Sequence, residues 1–184
     1  YRGELANGWS GGPGVCGASS LDGETDKKIL IAAIERLRSE IGRPPEVLEV
    51  GCGDLVWLSG DPPNSYTGID LHRRDSWSQI SRRRATLLGA DASLVPLPTC
   101  DLAIARQVFI HISTEKILRI LDRVRKSGAK KLLASSISGS DNRSRHPEGV
   151  DFTLRGYTVD LEAEPFNLKR LSTNSSGFTL FRIS

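Results

Sequence analysis

A glycine-rich turn directly after a short apolar run is the feature that most constrains the fold of this chain. The run Glu46–Val50 is bounded by Pro44-Pro45 and by Gly51, a pattern that predicts a buried strand ending in a turn. Gly51 and Gly53 lack a Cβ, so the backbone can turn sharply there and approach a ligand closely. The sequence therefore predicts a strand, a tight turn and a binding position at residues 49–54.

Three later segments have the composition of strands and end beside charged side chains. Tyr66–Asp70 ends in a carboxylate, the stretch near Thr86–Ala90 is followed by Asp91, and Asp101–Ala105 is followed by Arg106. An adenine nucleoside requires this set of groups, with glycines at the first strand end and acids at the next two. One carboxylate can accept from the ribose hydroxyls and the other from the adenine amino group.

Helical patterns separate these strands. Apolar residues at spacings of three and four predict helices over Asp26–Ile41 and Thr114–Lys126, and a fifth strand follows at Lys131–Ser135. Short helices are predicted at Asp54–Leu58 and Ser76–Arg83. Strands that alternate with helices predict a parallel sheet with right-handed crossovers.

The last part of the chain departs from this alternation. Residues 137–165 are polar, contain Gly, Pro and Asn, and show no helical pattern. Two strands then follow, about Asn167–Ser172 and Phe178–Ile183, with Asn174–Gly177 as the turn of a hairpin. We therefore expect an α/β fold, a Rossmann-like mostly parallel sheet with helices on both faces and a C-terminal antiparallel hairpin.

Composition indicates one domain. Residues 1–24 are rich in glycine and serine and are expected to form an arm, with a single domain over residues 25–184. No stretch approaches the roughly 20 apolar residues of a membrane span, and no secretory signal is visible. The first residue is not Met, which is consistent with a fragment of a longer chain. The three cysteines show neither paired nor metal-ligand spacing, so we expect a reduced, cytoplasmic protein without a metal site.

Four motifs in this order resemble the class I S-adenosylmethionine-dependent methyltransferases. They are Glu49-x-Gly51-x-Gly53, Gly68-Ile-Asp70, Ala90-Asp91-Ala92 and Asp101–Val108, and the resemblance covers roughly residues 25–136. Leu55 departs from the family, which often has a third glycine at that position. The resemblance implies methyltransferase activity with S-adenosylmethionine as the cofactor.

The resemblance also implies which residues bind the cofactor, beyond the carboxyl ends of the strands. The residues expected to bind it are Trp9, Glu49, Gly51, Cys52, Gly53, Asp70, Leu71, Asp91, Ala92, Arg106 and Gln107. Asp70 would bind the ribose hydroxyls, Asp91 the adenine amino group, and Ala92 would offer a backbone N–H. Glu49 would lie near the cofactor amino group, and the glycine turn under the methionine part. The alternative for any one of these acids is a loop carboxylate that caps a turn.

The arm around Trp9 suggests a lid. Asn7–Gly14 resembles a Gly-rich arm ahead of the first helix in a group of small bacterial methyltransferases, and Asp151–Phe166 resembles that group less specifically. We hypothesise that Trp9 folds over the cofactor, where cation–π attraction to a sulfonium is worth about 0.5–2 kcal/mol. The alternative is a flexible terminus.

His111 and Arg106 are the candidate catalytic residues. Methyl transfer is an in-line displacement at carbon, for which a protein mainly supplies alignment and a place for the proton. His111 can take the proton of an alkyl hydroxyl, or it can be a structural histidine within Val108–Ser113. Arg106 can orient an anionic or hydroxylated acceptor.

The acceptor expected from these features is a hydroxyl or amine of a small molecule or sugar. RNA is an alternative, favoured by the cluster Arg73, Arg74 and Arg82–Arg84 but disfavoured by the absence of interleaved aromatic residues. A non-catalytic module that retained the cofactor site is another alternative.

A nicotinamide dehydrogenase is the rival enzyme class, because the spacing from Gly53 to Asp70 is similar in that fingerprint. Its third glycine is missing, since position 56 is Val, and Pro62-Pro63 would interrupt the following helix. The closing hairpin also fits methyltransferases better.

Overall fold

The structure is a computed structural model that describes most of the chain from the first helix onwards. The described residues are 23–53, 55, 65–71, 73, 77–78, 85–142, 157–173 and 177–183. The predicted arm with Trp9, most of the two short predicted helices, most of the predicted hairpin turn, most of the arginine cluster and much of the 137–165 segment lie outside them.

The described strands form one mixed sheet. They are β1 (Glu46–Val50), β2 (Ser65–Asp70), β3 (Ala85–Gly89), β4 (Leu102–Ala105), β5 (Lys131–Ser135), β6 (Lys169–Thr173) and β7 (Phe178–Arg182). Their order in the sheet is β3-β2-β1-β4-β5-β7-β6. β1 to β5 run parallel, and β7 runs antiparallel to both of its neighbours. The predicted mostly parallel sheet with a C-terminal antiparallel hairpin is confirmed.

Two α-helices are described, α1 (Gly23–Ile41) and α2 (Thr114–Lys126). α1 begins at Gly23 rather than at the predicted Asp26. α2 has the predicted bounds, because the side chain of Ser113 caps it by accepting from the backbone N–H of Lys116 at 3.3 Å. Neither described helix is long and apolar enough to cross a membrane.

The two helices cover opposite faces of the sheet. Leu30, Ile34 and Leu37 of α1 pack in one apolar cluster, which includes Leu102 and Ile104 of β4. The apolar face of α2 packs in a second cluster that contains the intervening β4 residues Ala103 and Ala105. Because successive side chains of a strand point to opposite faces, β4 contributes to both cores. The prediction of helices on both faces is confirmed.

Several strand boundaries differ from the sequence predictions by one or two residues, and the start of β6 has an identifiable reason. β6 begins at Lys169 rather than Asn167, because Asn167 has φ +50, which is outside the strand region. β4 begins after Asp101, whose carboxylate accepts from Arg43 and from the backbone N–H of Glu46.

The described parts of the 137–165 segment contain no helix, as predicted, and they are packed rather than loose. Val159 and Leu161 of the segment, and Phe166 directly after it, are buried in the core cluster that contains the apolar face of α2. The backbone N–H of Ile137 donates to the carbonyl of Val159 at 2.7 Å. After β5, the described residues of the segment therefore pack on the core without forming a crossover helix.

Candidate active site

The candidate site lies where the strand order changes direction. β1 lies between β2 and β4. The chain continues from β1 to β2 and β3 on one side of it, and then to β4 and β5 on the other side. In open α/β sheets, ligands bind beyond the carboxyl ends of the strands at such a point. β1 and β4 therefore flank the switch in strand order.

Two glycines with left-handed backbone angles form the turn after β1. Gly51 has φ +70 and Gly53 has φ +54, in the left-handed region that glycine adopts readily. A Cβ on Gly51 would lie 2.0 Å from Cγ2 of Val108. The turn after β1 is thus pressed against the segment that follows β4.

Cys52 points away from the turn into the core. Its side chain is fully buried, and a Cβ on Gly68 would lie 2.8 Å from its Sγ. Cys52 can therefore offer only its backbone to a ligand. Leu55, at the position where the resembled family often has glycine, has φ +59, so it adopts the glycine-like conformation itself.

Asp70 is joined directly to the glycine turn. Its Oδ2 accepts from the backbone N–H of Gly53 at 2.9 Å, and the carbonyl of Gly53 accepts from the indole N–H of Trp77 at 2.8 Å. Leu71 follows as an exposed residue. The structure thus brings together Gly53 and Asp70, both predicted, and adds Trp77, which the sequence analysis did not single out.

Asp91 stands at the end of β3 with donors on both oxygens. Oδ1 accepts from the N–H of Ser93 at 2.9 Å and from its hydroxyl at 2.7 Å. Oδ2 lies 2.7 Å from Nζ of Lys116. Burial opposes ionisation of Asp91, but Lys116 and Ser93 outweigh it, so the pKa of this carboxyl lies below its ordinary value.

The sequence offered two interpretations of Asp91, a carboxylate that caps a turn and an acceptor for the adenine amino group. The carboxylate does cap a turn, which was the alternative considered for any single acid. It also lies next to the buried Ala92, at the strand end expected to meet adenine. Lys116 was missed, because a lysine on an amphipathic helix ordinarily indicates a solvent-facing position.

Glu49 and Arg106 meet inside the protein. Glu49 is 0% exposed and Arg106 is 3% exposed, and Nε of Arg106 lies 3.8 Å from Oε1 of Glu49. The hydroxyl of Tyr66 donates to Oε2 of Glu49 at 2.5 Å. This buried cluster of Glu49, Tyr66 and Arg106 links β1, β2 and the end of β4.

Tyr66 serves as a hydrogen-bond donor in this cluster. Burial and then the charge of Glu49 hold the pKa of the phenol well above its ordinary value, so the hydroxyl keeps its proton. In this arrangement the side chains of Glu49 and Arg106 are turned to each other rather than to solvent. Tyr66 was missed because its strand position indicated only an apolar core residue.

The residues after β4 form a tight loop beside the glycine turn. Gln107 has φ +52, and its backbone N–H donates to the hydroxyl of Ser135 at 3.1 Å. His111 ends a 3-10 turn, Phe109–His111, and is half-buried. The carbonyl of Ile110 accepts from the N–H of Tyr157 at 2.8 Å. The loop that carries His111 is thus adjoined by the segment after residue 156.

In the described part of the chain, no group of three or more His, Cys, Asp or Glu side chains is arranged to hold a metal ion.

Solved methyltransferase structures share this architecture. A Burkholderia thailandensis 1,6-didemethyltoxoflavin-N1-methyltransferase, solved with 1,6-didemethyltoxoflavin and S-adenosylhomocysteine, matches with a TM-score of 0.57 at 16% identity, over 89% of this chain and 82% of its own. The methyltransferase domain of bacterial CtHen1 matches with a TM-score of 0.55 at 12% identity, over 85% and 97% of the two chains.

A third match is the magnesium protoporphyrin IX methyltransferase of Synechocystis PCC 6803, solved with bound S-adenosylmethionine. Its TM-score is 0.56 at 14% identity, over 94% of this chain and 85% of its own. No protein-family model and no curated protein matches the chain. At these identities the likeness concerns the fold, and the chain has the fold of the class I S-adenosylmethionine-dependent methyltransferases.

Proposed function

We propose that this chain is an S-adenosylmethionine-dependent methyltransferase that methylates a hydroxyl or amine of a small molecule or sugar. The observation that carries the proposal is the hydrogen bond from the N–H of Gly53 to Asp70 at 2.9 Å. It holds the glycine turn and the acid of the next strand together at the switch in strand order. The matched structures that contain S-adenosylmethionine or S-adenosylhomocysteine support the same cofactor here.

The residues at this edge of the sheet fit that cofactor. Asp70 is partly exposed, and a carboxylate can accept from two vicinal ribose hydroxyls in charge-assisted bonds of about 1.5–3 kcal/mol each. Asp91 and the N–H of Ala92 would address the adenine edge. When bound, S-adenosylmethionine supplies a methyl group made electrophilic by its positively charged sulfur.

We propose that Arg106 positions other residues of the site rather than contacting the acceptor. Its side chain is almost fully buried beside Glu49, which favours support of the strand ends over contact with an acceptor. Glu49 likewise supports the glycine turn, through its contacts with Tyr66 and Arg106. Any effect of Glu49 on the cofactor amino group is therefore indirect and depends on the position of that turn.

His111 is the group proposed to accept the proton. A hydroxyl acceptor must lose its proton as the new bond to carbon forms, and a positioned histidine contributes about 10²–10⁴-fold to such a step. His111 lies on the loop after β4, close in sequence to Val108, which contacts the glycine turn.

Two further proposals rest on the sequence alone. They are that Trp9 acts as a lid, and that the chain consists of an arm and one domain.

A small acceptor is favoured by the matched structures. One is named as an N1-methyltransferase of 1,6-didemethyltoxoflavin and another as a methyltransferase of magnesium protoporphyrin IX. Those acceptors belong to those proteins, and the shared fold supports only the class of small organic acceptors for this chain.

The test is transfer of a labelled methyl group from S-adenosylmethionine. Hydroxylated and amino small molecules, sugars and RNA are incubated separately, and label in each acceptor is counted. The proposal predicts label in a small acceptor, and His111→Gln is expected to lower kcat about 10²–10⁴-fold with unchanged affinity for S-adenosylhomocysteine. Label in RNA alone would favour the RNA alternative. Cofactor binding with no transfer would favour a non-catalytic module.

A further inference from the structure

Lys116 occupies an unusual place for a lysine. It lies in the first turn of α2, and its side chain is only 13% exposed. Free N–H groups give the start of a helix a partial positive charge, which disfavours a nearby cation. Burial of the ammonium group adds to that penalty. The carboxylate of Asp91, 2.7 Å from Nζ, is the compensating partner.

Asp91 is held by three donors that together fix its orientation. Ser93 provides two of them to Oδ1, and Lys116 provides the third to Oδ2. A carboxylate has about four positions for accepting hydrogen bonds. These three donors therefore leave room for about one more, which matches one N–H of an amino group.

Without Lys116, Ser93 alone would hold one oxygen and the other would be free to turn. The ammonium group also favours the ionised form of the carboxyl, which accepts but cannot donate. An ionised, fixed carboxylate accepts from the 6-amino group of adenine and repels the 6-carbonyl oxygen of hypoxanthine.

Building on the proposed function, we propose that Lys116 is a positioning residue that holds Asp91 for recognition of the adenine amino group. Lys116 does not itself contact the reacting atoms. It acts through Asp91, so its removal should weaken discrimination between adenine and hypoxanthine as well as affinity.

The test compares two ligands that differ only at the 6-position of the base. Dissociation constants are measured for S-adenosylhomocysteine and its deaminated analogue S-inosylhomocysteine with the wild-type chain, Lys116→Met and Lys116→Arg. The wild type is expected to prefer the adenine ligand by about tenfold or more, the worth of one charge-assisted hydrogen bond. Lys116→Met should lower that preference at least about threefold, and Lys116→Arg should largely retain it.

Lys126→Met is the matched control. Lys126 lies in the last turn of the same helix with a 75% exposed side chain paired to Asp122, and its replacement should leave the preference unchanged. Lys116→Gln, which is uncharged and one bond shorter than lysine, replaces Lys116→Met if that variant is too unstable to titrate. It should lower the preference as well.

Two failures are distinguishable. If the Lys116 variants lose stability or overall affinity but keep the wild-type ratio of the two constants, the pair only ties α2 to the end of β3 and the inference is overturned. If the wild-type chain does not bind S-adenosylhomocysteine, the proposed function fails, and this inference fails with it.

Discussion

Gly51 brings the glycine turn close to Val108 in the loop after β4. In Gly51→Ala the new Cβ would lie 2.0 Å from Val108 and the backbone would keep φ +70. A left-handed alanine costs about 1–2 kcal/mol, and overpacking costs about 1–3 kcal/mol more. We expect urea unfolding to show a loss of about 2–5 kcal/mol.

Gly42 offers a matched control for this change. It has nearly the same φ, +71, but a Cβ added at Gly42 would meet nothing within 4 Å. Gly42→Ala should therefore show the backbone cost alone, and Val108→Ala should relieve part of the Gly51→Ala loss. Equal losses for Gly42→Ala and Gly51→Ala would contradict the close contact with Val108.

Asp101 makes stability depend on pH. Burial opposes ionisation of its carboxyl, but the N–H of Glu46 and then the guanidinium of Arg43 outweigh burial, so the pKa is lowered. A lowered folded-state pKa stabilises the protein above the unfolded value, about 3.9, and this stability is lost as pH falls through the folded pKa.

The measurement is urea unfolding of the wild type and Asp101→Asn from pH 7 to pH 3. The stability difference should be constant between about pH 7 and 5 and shrink below about pH 4. The exposed Asp122→Asn should show little difference at any pH, because its partner Lys126 is also exposed. A difference for Asp101→Asn that grows towards low pH would contradict the assigned role.

The sequence indicated some site residues and concealed others for a physical reason. Gly51, Gly53 and Asp70 were recognisable because their motifs are short and stand at strand ends. Trp77 and Lys116 act through contacts with residues distant in sequence. Such contacts depend on how the elements pack, which local patterns do not encode.

Among the elements, α2 was predicted with its bounds, and the segment after β5 was predicted only as an absence of helix. α2 has local signals, namely the Ser113 cap and apolar spacing. The segment is instead organised by Asn142. Its amide donates to the carbonyls of Asp160 at 2.7 Å and Glu164 at 2.9 Å, and its oxygen accepts from the N–H of Asp160 at 3.0 Å.

Asn142→Ala should therefore loosen the segment after residue 156. The change leaves two buried backbone groups of Asp160 and the partly buried carbonyl of Glu164 without this partner. At about 1–3 kcal/mol for each buried group, we expect a total loss of about 2–6 kcal/mol. Urea unfolding gives the loss, and hydrogen exchange at the amide of Asp160 locates it. Asn167→Gly is the control, since glycine suits φ +50. A loss below about 1 kcal/mol for Asn142→Ala would contradict this organising role.

At the scale of the whole molecule, alternation of strands and helices predicts a parallel sheet but not the order of its strands. The observed order, with β1 beside β4 and β7 between β5 and β6, depends on how the elements pack, which periodicity does not encode. That order puts the glycine turn, Asp70 and Asp91 at the ends of β1, β2 and β3, which are neighbours in the sheet. We infer that this edge of the sheet binds S-adenosylmethionine.

Calorimetric titration with S-adenosylmethionine, S-adenosylhomocysteine and NAD tests that claim most directly. Asp70→Asn is the informative variant, because its amide oxygen can still accept from the N–H of Gly53 while the negative charge is lost. Asp122→Asn, an exposed acid in α2, is the control. We predict micromolar binding of the first two ligands, weakened about tenfold or more by Asp70→Asn and unchanged by Asp122→Asn. Absence of binding, or a preference for NAD, would contradict the account.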